Sequence, residues 1–413
     1  MSNSLLTLSQ ITRESVRLFT NENAFLRNIN RQYDDQFSRD GAKIGSQLRI
    51  RLPNDYVVNT GPAITPQATS EVQTTLTVST QKNVPLSFTS QDMALSLDHF
   101  SERILAPAVN VLAGAVAIDI MQGSLQGSNM VANLSGSTLS TPTTATFLSA
   151  GAQLTRNSAP ARNRKMFLDP TTRARTVANL AGLFNPQIKI SEQYESGLMG
   201  KDTLGFDWYE DVTTQVPTTG TYSTATTVSG ANQTGNTLVV AALGAGVTLN
   251  QGDVITIAGV YAVNRVTKQS TGQLQTFTVT ANVASGATSI PIYPAITPPS
   301  GSNPVAYQTV TASPASGADV SLVIAGSSGT LASAEQYRNN FCMYEDAITM
   351  ATADLPLPPK GIVAGERAQF DGISMRLIQS FDVINDLFVS RLDILYGWTV
   401  VRPEWIVRIP DIM

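Results

Sequence analysis

The stretch GDVITIAGVYAVNRVTKQSTGQLQTFTVTA, residues 252–281, contains short runs of alternating apolar and polar residues that are separated by Gly, Asn or Ser. Alternation with a period of two predicts strands that are buried on one face. The stretch belongs to a longer region, 221–330, in which four side chains are acidic or basic: Asp253, Arg265, Lys268 and Asp319. Short, closely spaced strands predict a small antiparallel barrel or sandwich, and the region is long enough to form its own core.

The segments on either side mix acidic, basic and helical patterns, so we expect an α+β fold into which residues 221–330 are inserted. A chain of 413 residues is long enough for two or three compact units. With 42% hydrophobic and 14% charged residues, a packed fold is expected rather than disorder. The formal net charge of −4 argues against a general polyanion binder, which normally carries a basic excess.

The N-terminal part predicts an arm followed by a long hairpin. Residues 1–43 have a partly helical pattern but too little apolar surface to fold alone, so they need another surface to lie on. Residues 44–85 hold two alternating runs, near Leu48 to Leu52 and Val72 to Val78, on either side of an irregular turn. These runs predict a two-stranded hairpin, which is marginally stable by itself and therefore needs support.

Residues 97–126 carry apolar side chains at helical spacing that nearly encircle the helix, which predicts a buried spine helix. Pro107 should kink this helix or mark the end of its first turns. The most apolar stretch, Ile104 to Ile118, is too short to span a bilayer. Neither a membrane segment nor a secretory signal is expected, and the protein should be made in the cytoplasm.

The remaining segments predict an α/β layer and a strand-rich C-terminus. A strand at 165–168 precedes a helix that begins at Pro170. After the inserted region, residues 334–341 are expected to be helical and residues 343–355 to form a strand. The C-terminal strand patterns contain interleaved acids and bases, which are typical of a solvated face or of salt bridges between subunits.

No motif predicts an active site, a cofactor or a metal site. Cys342 has no possible disulfide partner, and the single His99 lies at the head of the predicted spine helix. His/Cys zinc clusters are therefore excluded, and a Ser–His–Asp triad is not expected. Glu345 and Asp346 are neighbours and would point to opposite faces of a strand, so they should not act as a catalytic pair. We predict that the chain is not an enzyme.

The order of these parts resembles that of a known family. The resemblance is carried by GAKIGSQLRIRLPNDYVVNTG (41–61), VPLSFTSQDMALSLDHFSERILAPAVNVLA (84–113), the stretch quoted first and SMRLIQSFDVINDLFVSRLDILYGWTVVRPE (374–404). With the serial order of arm, hairpin, spine helix, α/β layer and inserted strands, the chain resembles the major capsid proteins of tailed bacteriophages with the Hong Kong 97 fold. Within that group it is similar to the P-twenty-two-type coat proteins, which carry an inserted β domain.

The resemblance implies a place in a shell for each segment. The segments are an N-terminal arm (1–43), an extended loop (44–85), a peripheral domain with the spine helix (86–139), an axial domain with C-terminal strands (140–220 and 331–413) and an inserted β domain (221–330). The implied function is a structural major capsid protein of the virion. It would self-assemble in the host cytoplasm, as pentamers and hexamers, into an icosahedral shell around double-stranded DNA, without sequence-specific binding. The implied partners are further copies, a separate scaffolding protein and a portal protein.

Two features of the chain depart from what such proteins suggest. The low charge of residues 221–330 makes ionic contacts by the inserted region unexpected. Lys82 is the only lysine of the hairpin and lies at its base, so covalent Lys–Asn cross-linking between subunits is not expected. Candidate contacts between subunits are the charges of the loop and of the C-terminal strands: Arg49, Arg51, Arg376, Asp382, Asp386, Arg391 and Asp393. An alternative function is an adhesin or capsid-decoration protein that binds a ligand through its Thr/Ser-rich β region.

Overall fold

The computed structural model describes residues 8–31, 47–58, 62, 72–89, 101–135, 138–180, 203–222, 226–301, 303–322, 334–359, 363–385 and 387–413. Within them the protein has a mixed α+β fold with more strand than helix. The contacts divide the chain into two compact units. Unit 1 comprises Met1–Arg51, Gln73–Ile120 and Ile348–Val401, and unit 2 comprises Leu52–Val72, Met121–Ala347 and Arg402–Met413.

The helices and strands of the described residues are numbered along the chain. The α-helices are α1 (Leu8–Glu22), α2 (Ala24–Asn28), α3 (Ala106–Met121), α4 (Thr144–Arg156) and α5 (Pro170–Leu180). The strands up to the inserted region are β1 (Gln47–Arg51), β2 (Gln73–Thr77), β3 (Thr80–Thr89), β4 (Asn129–Met130), β5 (Asn133–Ser135), β6 (Thr138–Ser140), β7 (Arg164–Leu168) and β8 (Asp207–Glu210). The later strands are β9 (Thr226–Thr227), β10 (Gly235–Val239), β11 (Val254–Val263), β12 (Ser270–Val279), β13 (Ser289–Ile296), β14 (Asp319–Ser321), β15 (Tyr337–Tyr344), β16 (Ile348–Thr352), β17 (Ala364–Phe370), β18 (Ile373–Asp382), β19 (Leu387–Val400) and β20 (Ile406–Ile412).

In unit 1 the N-terminal helix α1 lies on β17 and β18 of the same chain. The helix is amphipathic, and Ile11, Val16 and Phe19 are fully buried on its inner face. Burial of these side chains stabilises a segment that is too polar to fold alone. The helix α1 of the arm therefore finds its supporting surface within its own subunit.

Residues 101–126 form a long apolar helical run, of which residues 101–120 belong to unit 1. A π-helical turn, Ser101–Leu105, leads into α3, and the 3-10 helix Gln122–Gln126 continues it. Pro107 lies in the first turn of α3, where its missing N–H is not needed by the helix. The predicted helix is thus confirmed for residues 101–126, but its apolar surface is only partly buried. His99 lies outside the described residues. By length and composition Arg103–Gln126 could cross a membrane, but half of it is buried inside the protein, as in a core helix.

Two sheets complete unit 1. β1 and β2 form the base of the predicted hairpin, with Leu48 opposite Leu76. Residues 59–61 and 63–71, at the tip of the hairpin, lie outside the described residues. The second sheet has the order β16-β19-β18-β17, and β3 also pairs with β19, from Thr80 opposite Tyr396 to Thr89 opposite Leu387. An ideal Cβ on Gly397 of β19 would lie 2.1 Å from the carbonyl oxygen of Thr77. Glycine is therefore needed there, because the hairpin passes directly over β19.

In unit 2 a five-stranded central sheet has the order β4-β20-β15-β7-β8. One face packs on α4 through a core that includes Phe147, Leu154, Cys342 and Val407. The predicted strand at 165–168 and the helix beginning at Pro170 are both confirmed. The inserted region follows β8 in the chain and precedes β15.

Two predictions for residues after the inserted region were wrong. Residues 337–344 form the strand β15 rather than a helix over 334–341, because Asn339 and Asn340 are buried polar residues that obscure the strand pattern. Asn340 is satisfied by donating to Thr172 Oγ1 and by accepting from the backbone N of Asp169 at 2.7 Å. The strand predicted at 343–355 is interrupted by the 3-10 turn Glu345–Ala347 before β16 begins.

The inserted region forms a six-stranded antiparallel sheet in the order β10-β13-β12-β11-β14-β9. The prediction of short antiparallel strands is therefore confirmed. Its two outer strands approach each other through a bridge between Val228 and Val240, and Ala241 N donates to Thr227 O at 2.8 Å. The register of β11 on β12 shifts near Gly259, whose φ of +79° is typical of a glycine at a bulge.

The core of the inserted sheet is continuous with the rest of unit 2. Its buried cluster contains Leu238, Ile255, Phe277 and Ile290 from the inserted strands. The same cluster takes in Met130, Ala132, Leu139 and Tyr337 from outside residues 221–330. Apolar burial therefore joins the inserted sheet to the second face of the central sheet.

Candidate functional site

Three of the seven predicted contact residues come together on β18 and β19. The carboxylate of Asp393 is fully buried, and its Oδ2 accepts from Arg376 Nη2 at 2.7 Å while its Oδ1 accepts from Arg391 Nε at 2.6 Å. Arg376 lies directly opposite Asp393 in the strand register. The Arg391 side chain is 48% exposed, so its guanidinium reaches solvent while the carboxylate that binds it is buried. One carboxylate with two guanidiniums leaves a local excess of positive charge.

A fourth predicted residue, Asp382, begins the turn between β18 and β19. Its Oδ1 accepts from the backbone N of Ile384 at 3.0 Å, and its Oδ2 accepts from Asn385 Nδ2 at 2.8 Å. The bond from Asn385, followed by the bond from Ile384, lowers the pKa of the Asp382 carboxyl. The turn exposes Val383 and Ile384 by 81% and 91%. Asp386 lies outside the described residues.

The remaining predicted residues, Arg49 and Arg51, are exposed on the hairpin base. They alternate along β1 with Ile50, which is 2% exposed and faces the core. Thr75 and Gln73 lie opposite the two arginines on β2, so the outward face of the ribbon carries positive charge among neutral side chains. The hairpin base and the turn at Asp382 are separate positions in unit 1.

Sequence reasoning missed an ionic contact at the base of the hairpin. Lys82 Nζ lies 2.6 Å from Asp119 Oδ2 and donates to the carbonyl oxygen of Ala115 at 2.9 Å. Tyr396 Oη donates to the same Asp119 oxygen at 2.5 Å. Burial and this hydrogen bond raise the pKa of Tyr396 far above its ordinary value. The contact joins β3, the spine helix and β19 within unit 1, and no local sequence pattern signals it.

The inserted region makes ionic contacts, contrary to the expectation from its low charge. Arg265 Nε lies 2.8 Å from Asp55 Oδ2, and Arg265 Nη1 lies 2.8 Å from Glu404 Oε1. Lys268 Nζ lies 3.7 Å from the same Asp55 oxygen. Tyr293 Oη donates to Glu404 Oε2 at 3.0 Å. Arg265 and Lys268 thus bind the inserted region to residues before and after it in the chain.

A cavity of about 290 Å³ in unit 2 borders this ionic cluster. Its lining includes Asp55, Arg156, Arg265, Tyr293, Gln308 and Glu404. Two buried wall atoms, Asn157 Nδ2 and Gln308 Oε1, have no hydrogen-bond partner within the described part of the chain. The two carboxylates of the lining, Asp55 and Glu404, pair with Arg265, and Arg156 donates to Gln273 Oε1 at 2.6 Å.

The other candidate chemical groups are engaged in the fold. Cys342 is buried in the central sheet, where burial raises the pKa of its thiol to about 12 and keeps it protonated. Glu345 pairs with Lys165 at 3.2 Å and accepts from Asn163 at 3.1 Å. In the residues that the structure describes, no group of three His, Cys, Asp or Glu side chains could hold a metal ion.

Comparison with known proteins gives a family match. The sequence model of a family described as "P22 coat protein - gene protein 5" matches residues 41–408. No curated protein sequence matches the chain.

Several solved structures also match the chain. One, described as Mycobacterium phage Che8, is 12% identical with a TM-score of 0.44 over 99% of this chain and 95% of that chain. The capsid of Ralstonia phage GP4 is 7% identical with a TM-score of 0.46 over 100% and 94%. The CUS-3 coat protein I-domain is 31% identical with a TM-score of 0.19, and it covers 25% of this chain and 98% of its own.

Proposed function

Because this chain belongs to the P22 coat protein family, it is a structural major capsid protein of a bacteriophage virion and not an enzyme; we propose that many copies close into an icosahedral shell around double-stranded DNA. The family match over residues 41–408 is the observation that carries this function. Shells of this kind are stabilised by many modest contacts that symmetry repeats, so each interface can be weak by itself.

We propose that the fold is of the Hong Kong 97 type and carries an inserted, closed β-barrel. The bridge between Val228 and Val240 supports closure, because it joins the two outer strands of the six-stranded sheet. We propose the segment roles that the family resemblance implies. They are an arm (1–43), an extended loop (44–85), a peripheral domain (86–139), an axial domain (140–220 and 331–413) and the inserted domain (221–330).

The contacts between subunits are proposed to use exposed charges of opposite sign in unit 1. Arg49 and Arg51 present positive charge on the hairpin base, and Arg391 presents it at the edge of the buried Asp393 cluster. Asp382 presents negative charge on the β18–β19 turn, and Asp386 follows four residues later in the sequence. The buried Asp393 is proposed to support the contact by holding the exposed Arg391 in place, while Arg376 binds the other oxygen of the same carboxylate.

Other partners follow from the function rather than from a binding site. The shell is proposed to assemble in the host cytoplasm with a separate scaffolding protein and a portal protein, as pentamers and hexamers of this chain. The net charge of −4 suits a container that does not grip its DNA cargo, so DNA would be enclosed without sequence-specific contacts.

Sedimentation of the chain co-expressed with a scaffolding protein tests the proposal. The wild-type chain should sediment as large particles. The double variant R49E/R51E should remain soluble and folded by circular dichroism but lose most of the particle fraction, since like charges would then oppose across the contact. The matched control K165E alters a lysine that pairs inside unit 2 and should shift stability more than particle yield. A wild-type chain that never sediments as particles would contradict the function.

A further inference from the structure

Arg408 is a fully buried arginine in the central sheet. It lies on β20, opposite Phe341 of β15 and beside Met130 of β4. Its Nε, Nη1 and Nη2 atoms find no hydrogen-bond acceptor in the described part of the protein. A buried guanidinium that lacks a counter-charge is unfavourable, because nothing compensates for its loss of water.

Within the described residues, the carboxylate that acts electrostatically on this guanidinium is that of Asp253, which belongs to the inserted region. A Cβ atom built on Gly252 would lie 3.4 Å from Arg408 Nη1, so the backbone next to Asp253 lies against the guanidinium. Asp253 is itself only 4% exposed. Burial raises the pKa of the Asp253 carboxyl and lowers the pKa of Arg408, and the charge of each residue opposes the shift of the other.

Asp253 also holds the connection between the inserted region and the preceding chain. Its Oδ2 accepts from the backbone N of Gly220 at 3.0 Å and from the backbone N of Asn250 at 2.7 Å. The carbonyl oxygen of Gly220 accepts from Ala334 N at 3.1 Å, so the segment that leads into the region and the segment that leaves it meet there. The Asp253 carboxylate therefore holds Gly220, the residue at which both connections meet, and the residue before Asp253 packs beside Arg408 of the central sheet.

We propose that Asp253 and Arg408 are positioning residues: their buried opposite charges set the orientation of the inserted sheet on the central sheet, and thereby the surface that the inserted domain presents in the shell. The second clause rests on the proposed function. Both groups are penalised by burial, so the pair adds little net stability compared with apolar side chains. Its contribution is orientation, because a displaced sheet would leave two buried charges unmatched.

A double-mutant cycle on the full chain tests the pairing. D253N keeps an acceptor for the Gly220 and Asn250 amides but removes the charge, and R408M removes the guanidinium at similar length. Each single variant should lower the midpoint of thermal unfolding by about 10 °C, since it leaves one buried charge unmatched. The double variant D253N/R408M should recover to within about 3 °C of the wild-type midpoint.

Hydrogen exchange separates orientation from stability. In the double variant the amides of Gly220 and Asn250 should exchange about tenfold faster than in the wild type, although the midpoint is restored. R408K, which keeps the charge, should exchange more slowly at these amides than R408M. Additive losses in the double variant, or wild-type exchange at both amides in it, would overturn the proposal. Both measurements use unassembled protein, so a failure of the wild-type chain to form particles would overturn the proposed function and leave the pairing result standing.

Discussion

The inserted sheet of unit 2 and the β16–β19 sheet of unit 1 are both antiparallel, but they use charge differently. The inserted sheet has few charges, and Asp253, Arg265 and Lys268 all face other parts of unit 2. The β18–β19 hairpin has many charges, of which Asp393 is buried while Arg391 and Asp382 reach solvent. A charge-poor region can thus depend on ionic contacts, because three of its four charges lie against other parts of the same subunit. We propose that the exposed charges of the charge-rich hairpin contact neighbouring subunits.

Removal of residues 221–330, with the ends joined, should have the largest effect on this comparison. The deletion uncovers Met130, Leu139 and Tyr337, and it leaves Arg408 and Glu404 without their partners from the inserted region. We expect the remaining chain to keep helix and strand signals in circular dichroism but to refold with a much lower yield than the full chain. Wild-type refolding yield would show that the inserted sheet contributes nothing to the surrounding fold.

The substitution D393N should have the next largest effect, on the charge-rich hairpin. It leaves Arg376 and Arg391 without their buried counter-charge while it conserves shape. We expect a loss of about 3–5 kcal/mol in the free energy of unfolding measured with urea. D382N on the same hairpin is the matched control. If D393N lost no more unfolding free energy than D382N, the assignment of Asp393 as the buried partner of the two arginines would be contradicted.

A smaller loss is expected for R265M in the inserted sheet. Arg265 bridges Asp55 and Glu404, but all three side chains are partly exposed, so solvent screens the contact. We expect a loss of about 1–2 kcal/mol in the free energy of unfolding, again measured with urea. K268M should cost less, because Lys268 lies 3.7 Å from Asp55. Equal losses in the two variants would show that Arg265 does not bridge the two carboxylates in solution.

Local patterns predicted much of the fold but not its ionic contacts. The alternation in β11 and β12 and the helix start at Pro170 depend on residues that are close together in the sequence, so local patterns could predict them. The strand β15 could not, because Asn339 and Asn340 are polar and are buried only through long-range hydrogen bonds. The pairing of Arg265 with Asp55 joins residues 210 positions apart, which no period in the sequence encodes.

The contact candidates show the same limit. Arg376, Arg391 and Asp393 lie on the paired strands β18 and β19, and their part in contacts between subunits stays a prediction. Their mutual pairing depends on the register of β18 against β19, which the sequence does not specify. The sequence places Lys82 at the base of the hairpin. Its partner Asp119 lies on the spine helix, so the pairing could be identified only from the folded structure.

The smallest expected effect concerns the exposed turn at Asp382. The pKa of the Asp382 carboxyl is lowered in the folded protein from its ordinary value of 3.8. The hydrogen bonds to the carboxylate therefore stabilise the turn fully at pH values above 3.8. That contribution is lost as the pH falls through the lowered pKa. We therefore expect the difference between wild type and D382N in unfolding midpoint to shrink as the pH falls below 3.8. A difference that is unchanged down to pH 2 would contradict the turn geometry.

Electron microscopy of the purified full chain, co-expressed with a scaffolding protein, tests shell formation most directly. We predict closed particles of uniform size whose surface shows clusters of five and six subunits. A sample that contains only monodisperse monomers under all assembly conditions would contradict the assignment of this chain as a shell-forming protein.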